Sequence, residues 1–193
     1  MVLRITAGKH KGRALGVLGK NSIRPTTEAL RQKVFDVIQD QIVGAACLDL
    51  FAGSGAIGFE ALSRGAASVI FVEKSFLGVR SLYNNMELLG EKASVKIVKK
   101  DVFPLLKTSF RGTFDFIYVD PPYEILERPR AYKDLFELII GAKILAPNGV
   151  LFFESGDRIT PPVGSDVLEL RSMRKAGSAL LAEYRYKEEV FSN

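Results

Sequence analysis

The sequence predicts an α/β fold: a mostly parallel sheet with helices on both faces, an antiparallel C-terminal strand, and a small basic N-terminal hairpin and helix in front. Short apolar runs alternate with amphipathic stretches from residue 46 onward, the pattern of βαβ units. Two later apolar runs are separated by too few residues for a crossover helix, so they must pair antiparallel. The first 33 residues hold eight Lys or Arg against one acid, a net charge of +7, while the other 160 residues carry −2.

Each element has its own signal. Arg4-Ile5-Thr6 and the run from Ala14 to Leu18 are strand-like and punctuated by Gly8 and Gly12, which predicts a hairpin. Arg24-Pro25-Thr26-Thr27 then stops the extended segment, and a threonine caps a helix with Leu30, Val34, Phe35, Val37 and Ile38 as its apolar stripe. Ala46 to Leu50 predicts the first strand of the sheet. A helix follows through Phe59 and Leu62, closed by Arg64-Gly65. Val69 to Val72 is the second strand, and Val79, Leu82, Met86 and Leu89 mark a helix ended by Gly90. Val95 to Val98 and Phe114 to Val119 are strands three and four. Tyr132 to Leu145 reads as a helix, Val150 to Phe153 as strand five, and Val167 to Leu170 with Ala179 to Tyr184 as the closing pair.

Composition narrows the function classes. With 193 residues and 47% hydrophobic content, the chain can bury a core without staples. Cys47 is the only cysteine and His10 the only histidine, which excludes a disulfide framework and a Cys/His zinc site and argues against Ser-His-Asp catalysis. No apolar run reaches the ~18 residues of a membrane span, and the first residues lack a signal-peptide core. The expectation is a cytoplasmic monomer with no metal and no membrane partner. Residues 1–40 are expected to form a basic extension that meets a polyanion, and residues 41–193 the main domain.

The turn from Asp49 to Gly58 lies between a strand and a helix. Gly53, Gly55 and Gly58 satisfy G-x-G-x-x-G, and Glu73 follows Gly53 by 20 residues, at the end of the next strand. That placement suits an acid gripping a ribose while the ligand lies on bare backbone. An NAD-type reading is opposed by Asp49, whose carboxylate would repel a pyrophosphate at the same turn. It would attract the ammonium and sulfonium of S-adenosylmethionine. Asp101, just after the third strand, is placed to accept from an adenine amino group, although an aspartate there is often only a helix cap.

Asp120-Pro121-Pro122-Tyr123 follows the fourth strand. An exocyclic amine is a poor nucleophile because its lone pair is delocalised. Acceptors on both of its N–H groups, here the Asp120 carboxylate and the Pro121 carbonyl, can turn the amine and expose the lone pair. Pro122 fixes the local backbone, and Tyr123 offers a face for an extruded base. The motif alone leaves guanine N2, adenine N6, cytosine N4 and a glutamine amide as acceptors.

Taken together, Arg4-Ile5-Thr6-Ala7-Gly8-Lys9, Gly12-Arg13, Arg24-Pro25-Thr26, the Asp49–Gly58 turn, Leu62-Ser63-Arg64-Gly65-Ala66 and Asp120-Pro121-Pro122-Tyr123 resemble the bacterial 16S ribosomal RNA guanine-N2 methyltransferases. The resemblance covers essentially the whole chain. It implies a Rossmann-like seven-stranded sheet, S-adenosylmethionine as methyl donor, and guanine 966 of small-subunit RNA within an assembly particle as acceptor. It implies Asp120, Pro121, Pro122 and Tyr123 as the catalytic motif. Asp49, Phe51, Ala52, Gly53, Ser54, Gly55, Glu73, Lys74, Asp101 and Val102 would line the cofactor site. Arg4, Lys9, Lys11, Arg13, Arg24, Thr26 and Arg31 would meet RNA. One departure is Ala176-Gly177, where relatives often carry an aromatic before the glycine of the last hairpin.

Overall fold

The β-branched and aromatic runs of this chain pair into a seven-stranded sheet flanked by helices on both faces. The computed structural model describes residues 2–18, 27–108, 110, 112–122, 125, 130–157 and 159–191. In chain order the elements are α1 (Glu28–Ile38), β1 (Ala46–Leu50), α2 (Ala56–Ser63), β2 (Ser68–Val72), α3 (Phe76–Leu89), β3 (Val95–Val98), α4 (Val102–Lys107), β4 (Phe114–Val119), α5 (Ala131–Gly141), β5 (Leu145–Gly156), β6 (Leu168–Ala176) and β7 (Ala179–Tyr186).

The strand order is β3-β2-β1-β4-β5-β7-β6. Pairing is parallel from β3 through β5, and β7 runs antiparallel to both β5 and β6. This is the predicted Rossmann-like architecture with its antiparallel C-terminal strand. The chain winds outward from β1 to β3 and then returns to place β4 on the other side of β1. That reversal opens a crevice at the strand tips between β1 and β4, where such sheets bind ligands.

Each face of the sheet carries its own core. Alternate residues of the central strands, such as Cys47, Phe116, Tyr118 and Phe152, pack with α1, α2 and α3. Leu48, Ile117, Val119 and Phe153 pack with α4 and α5 on the other face. The basic N-terminal hairpin forms as expected. The Ile5 N–H donates to the Arg13 carbonyl at 3.0 Å and the Leu15 N–H to the Leu3 carbonyl at 2.8 Å, around an Arg4–Ala14 bridge. Its Leu3, Ile5 and Leu15 join the core that holds Leu30, Phe35, Cys47 and Phe59, so the stretch 1–40 shares its apolar packing with the rest of the chain.

Several boundaries differ from expectation: β5 runs on to Gly156, β6 to Ala176 and β7 to Tyr186, and the junction of α5 with β5 shifts. Helix α5 ends at Gly141, and β5 begins at Leu145 because Leu145 already pairs with Phe114 ahead of a register shift. Among the described residues no helix is long and apolar enough to cross a membrane.

Candidate active site

The tips of successive strands collect the acids. Strand β1 ends two residues before Ala52, and the turn that follows takes positive φ at Phe51 (65°), Gly53 (55°) and Gly55 (79°). A bulky residue at positive φ costs about 1–3 kcal/mol and persists where surrounding structure imposes it. Here the Ala52 N–H donates to the Val72 carbonyl at 3.0 Å, which ties the turn to β2. Gly58 has a different role: a Cβ there would come within 2.2 Å of the Phe71 ring, so its hydrogen lets α2 lie flat on the sheet.

Glu73, at the end of β2, reaches back over this turn. It accepts the Gly53 N–H at 2.9 Å through one oxygen and the Ser75 N–H at 2.7 Å through the other. Gly78, in the first turn of α3, makes room for it, since a Cβ at Gly78 would stand 2.7 Å from the Glu73 Cγ. Asp49 is 4% exposed and accepts the Gly58 N–H at 3.2 Å. Burial pushes its carboxyl up to about 7, against the pull of that N–H, and the nearby Glu73 charge adds to the rise. A buried carboxyl poised between its two forms suits a site that receives a positive charge.

Asp101 does act as a helix cap. It accepts the Phe103 N–H at 3.0 Å at the start of α4. Its second oxygen stands 3.5 Å from the Lys74 ammonium, so Lys74 and Asp101 meet across the tips of β2 and β3. Val102 and Ser54 are buried. The glycine turn, Glu73 and Asp101 together present bare backbone, a carboxylate and a half-exposed aspartate along one edge. This set fits S-adenosylmethionine, which brings a cationic amino-acid end, a ribose diol and an adenine amine.

The Asp-Pro-Pro segment lies against the same turn. Strands β1 and β4 pair in register through Leu50 and Val119, and the Asp120 N–H then donates to the Leu50 carbonyl at 3.4 Å. Asp120 is half-buried, Pro121 is buried, and the Pro122 carbonyl accepts the Ile125 N–H at 2.9 Å. Tyr123 lies outside the described residues, as do Arg24 and Thr26. Two buried hydroxyls, Tyr132 Oη and Ser155 Oγ, lie side by side near Asp120 without a well-formed hydrogen bond.

The basic set divides. Arg4, Lys11 and Arg13 are exposed, although the Arg4 and Arg13 guanidiniums also donate to the Gly12 and Leu88 carbonyls at 2.8 and 2.9 Å. The Lys9 ammonium is 2.7 Å from Glu91, which also meets His10 Nε2 at 2.6 Å. Burial would raise the Glu91 carboxyl, but the hydrogen bonds from Lys9 and His10 win and hold it below the usual range.

Arg31 is a correction to the RNA-contact set. It is 2% exposed, and its guanidinium donates to the Arg4 carbonyl at 2.8 Å with Glu60 nearby, so it braces the hairpin and faces no RNA.

Sequence reasoning missed several buried polar groups, Glu60, Asn85 and Glu154 among them. Glu60, fully buried in α2, accepts the Thr6 and Ala7 N–H groups at 2.8 and 3.0 Å and the Arg64 Nε at 2.9 Å. Asn85, on the apolar stripe of α3, donates to the Gly16 and Ser54 carbonyls, both at 3.0 Å, and so ties the N-terminal segment to the glycine turn. Glu154 is 8% exposed at the end of β5 and accepts the Tyr118 hydroxyl. A polar residue on an otherwise apolar helical stripe is the signal that would have singled out Asn85.

Comparison with known proteins bears on the fold and the family. A Bacillus subtilis protein, YlbH, named as an rRNA methyltransferase, is 32% identical over 192 residues, covering 96% of this chain and 99% of its own. Ribosomal RNA small subunit methyltransferase D of Escherichia coli K12 is 33% identical over 154 residues, 79% of this chain and 74% of its own. The solved structure of the E. coli protein yhhF, described as a methyltransferase, superposes with a TM-score of 0.84 at 27% identity, covering 97% of this chain and 99% of that one. Residues 3–185 match the family described as Conserved hypothetical protein 95, and with that span and these relatives the chain belongs to that family.

Proposed function

We propose that this protein transfers a methyl group from S-adenosylmethionine to the exocyclic N2 amine of a guanine in 16S ribosomal RNA. The family resemblance points to guanine 966. The observation that carries the reading is the Asp120 N–H bond to the Leu50 carbonyl, which sets the Asp-Pro-Pro segment beside the glycine turn. The names of the relatives support small-subunit RNA as the substrate.

In this reading Glu73, Asp49, Asp101 and the backbone at Gly53 hold the cofactor, with Phe51, Ala52, Ser54, Gly55, Lys74 and Val102 around it. When bound, S-adenosylmethionine supplies a methyl carbon on a good leaving group. The chain's own task is then largely positioning. Asp120 and the Pro121 carbonyl accept the two N–H groups of the amine and turn its lone pair out of conjugation. Asp120 acts as an orienting acceptor, and the proton leaves to solvent once the amine has become cationic. Tyr123 stacks on the base. Arg4, Lys9, Lys11, Arg13, Arg24 and Thr26 contact phosphates, which hold register without reading sequence. The protein acts as a cytoplasmic monomer on RNA organised in an assembly particle.

Mass spectrometry of nucleosides from small-subunit RNA of a deletion strain tests this. Loss of one N2-methylguanosine is expected. An unchanged N2-methylguanosine content, or loss of a methyladenosine instead, would overturn it.

A further inference from the structure

A second carboxylate stands at the same tip of the sheet. Val119 of β4 pairs with Phe153 of β5 in the parallel ladder, so Asp120 and Glu154 are the next residues along, on neighbouring strands about 4.8 Å apart. Glu154 continues the alternation of Val150 and Phe152, on the face that also carries Tyr118. It is 8% exposed, and the Tyr118 hydroxyl donates to one of its oxygens.

The planar amines that Asp120 could hold differ in the atom beside the amine. Next to adenine N6 and cytosine N4 lies a ring nitrogen with a lone pair. Beside a primary amide nitrogen lies a carbonyl oxygen. Guanine alone among these offers a donor there, its N1–H. A carboxylate next to the amine-binding group therefore accepts from guanine and meets a lone pair in each of the others. The cost of such a mismatch is large, because a site built to receive a hydrogen bond rejects an analogue that cannot make it by orders of magnitude.

We propose that Glu154 determines the acceptor base, its carboxylate accepting the guanine N1–H while Asp120 and the Pro121 carbonyl hold the N2 amine. The proposal rests on the guanine reading above. Tyr118 is a positioning residue: its hydroxyl donates to the Glu154 carboxylate and fixes that group's direction.

The test uses the full chain and small subunits reconstituted with either guanine or 2-aminopurine at position 966. 2-Aminopurine keeps the C2 amine but has a lone pair at N1. It also lacks O6, a difference common to wild type and variant that cancels in the comparison. Wild type should favour guanine by at least about 100-fold in kcat/KM. Glu154→Gln can donate to N1, and its guanine preference should fall at least fivefold. A smaller fall overturns the role of Glu154 and leaves the methyltransferase reading standing. Wild type inactive on the guanine-bearing subunit overturns both. Binding of S-adenosylhomocysteine within twofold of wild type identifies a folded variant. If E154Q lacks that binding, the same ratio is read in Tyr118→Phe, where a fivefold fall supports the proposal and a smaller one contradicts it.

Discussion

The N-terminal hairpin and the strand tips both concentrate charge, yet they use it in opposite ways. Around the hairpin, the buried charged and polar groups are consumed by the fold, while Arg4, Lys11 and Arg13 stay exposed. Glu60 takes two backbone N–H groups and Arg64, Arg31 is buried on the Arg4 carbonyl, and Glu91 holds Lys9 and His10. At the strand tips, positive φ at Phe51 and a buried Asp49 pushed up to about 7 hold strain and charge beside the glycine turn. Charge density in a sequence does not distinguish these uses. Pairing does.

The sharpest way to break the contrast is Glu60→Ala. Removing a buried acid that satisfies two N–H groups and an arginine should cost about 3–5 kcal/mol, read as a fall in the urea midpoint. A loss below 1 kcal/mol would mean the hairpin is not locked by Glu60. Gly78→Ala works at the other region. The new Cβ would press on Glu73, while alanine favours the helix, so stability should hold within about 1 kcal/mol. Affinity for S-adenosylhomocysteine should fall about 30-fold, equivalent to ~2 kcal/mol. Equal affinity would remove Glu73 from the cofactor site.

The smallest effect expected comes from pH. The folded Asp49 carboxyl is raised above its unfolded value, so ionising it costs stability: the empty protein should lose stability as pH rises from about 4 through 7. Cofactor binding has the opposite sense. The cationic amino-acid end needs the ionised form, which fills as pH rises through about 7 and is lost below it. Calorimetry with S-adenosylhomocysteine should show about tenfold weaker binding at pH 6 than at pH 8. A flat profile would place the cation away from Asp49.

The fold was legible because its signals are local. Apolar runs of five or six residues, the Gly65 and Gly90 stops, and the brief link around Gly177 each report on their own neighbourhood. Acids at strand tips are equally local, which is why Asp49, Glu73, Asp101 and Asp120 could be read from spacing. Glu60, Asn85 and Glu154 meet Thr6, Gly16 and Tyr118, which lie 54, 69 and 36 residues away in the chain, beyond any window. Arg31 is the instructive error. Its charge drew it into the RNA set, but it falls in helical phase with Val34, Phe35 and Ile38, all buried on one face of α1. Periodicity outweighed charge.

Asp120→Ala bears most directly on the chemistry. With the variant saturated with S-adenosylmethionine and mixed with small subunits from a deletion strain, single-turnover transfer should drop by about 1,000-fold or more while S-adenosylhomocysteine affinity stays within twofold of wild type. Transfer at the wild-type rate would contradict the assignment of the amine to Asp120.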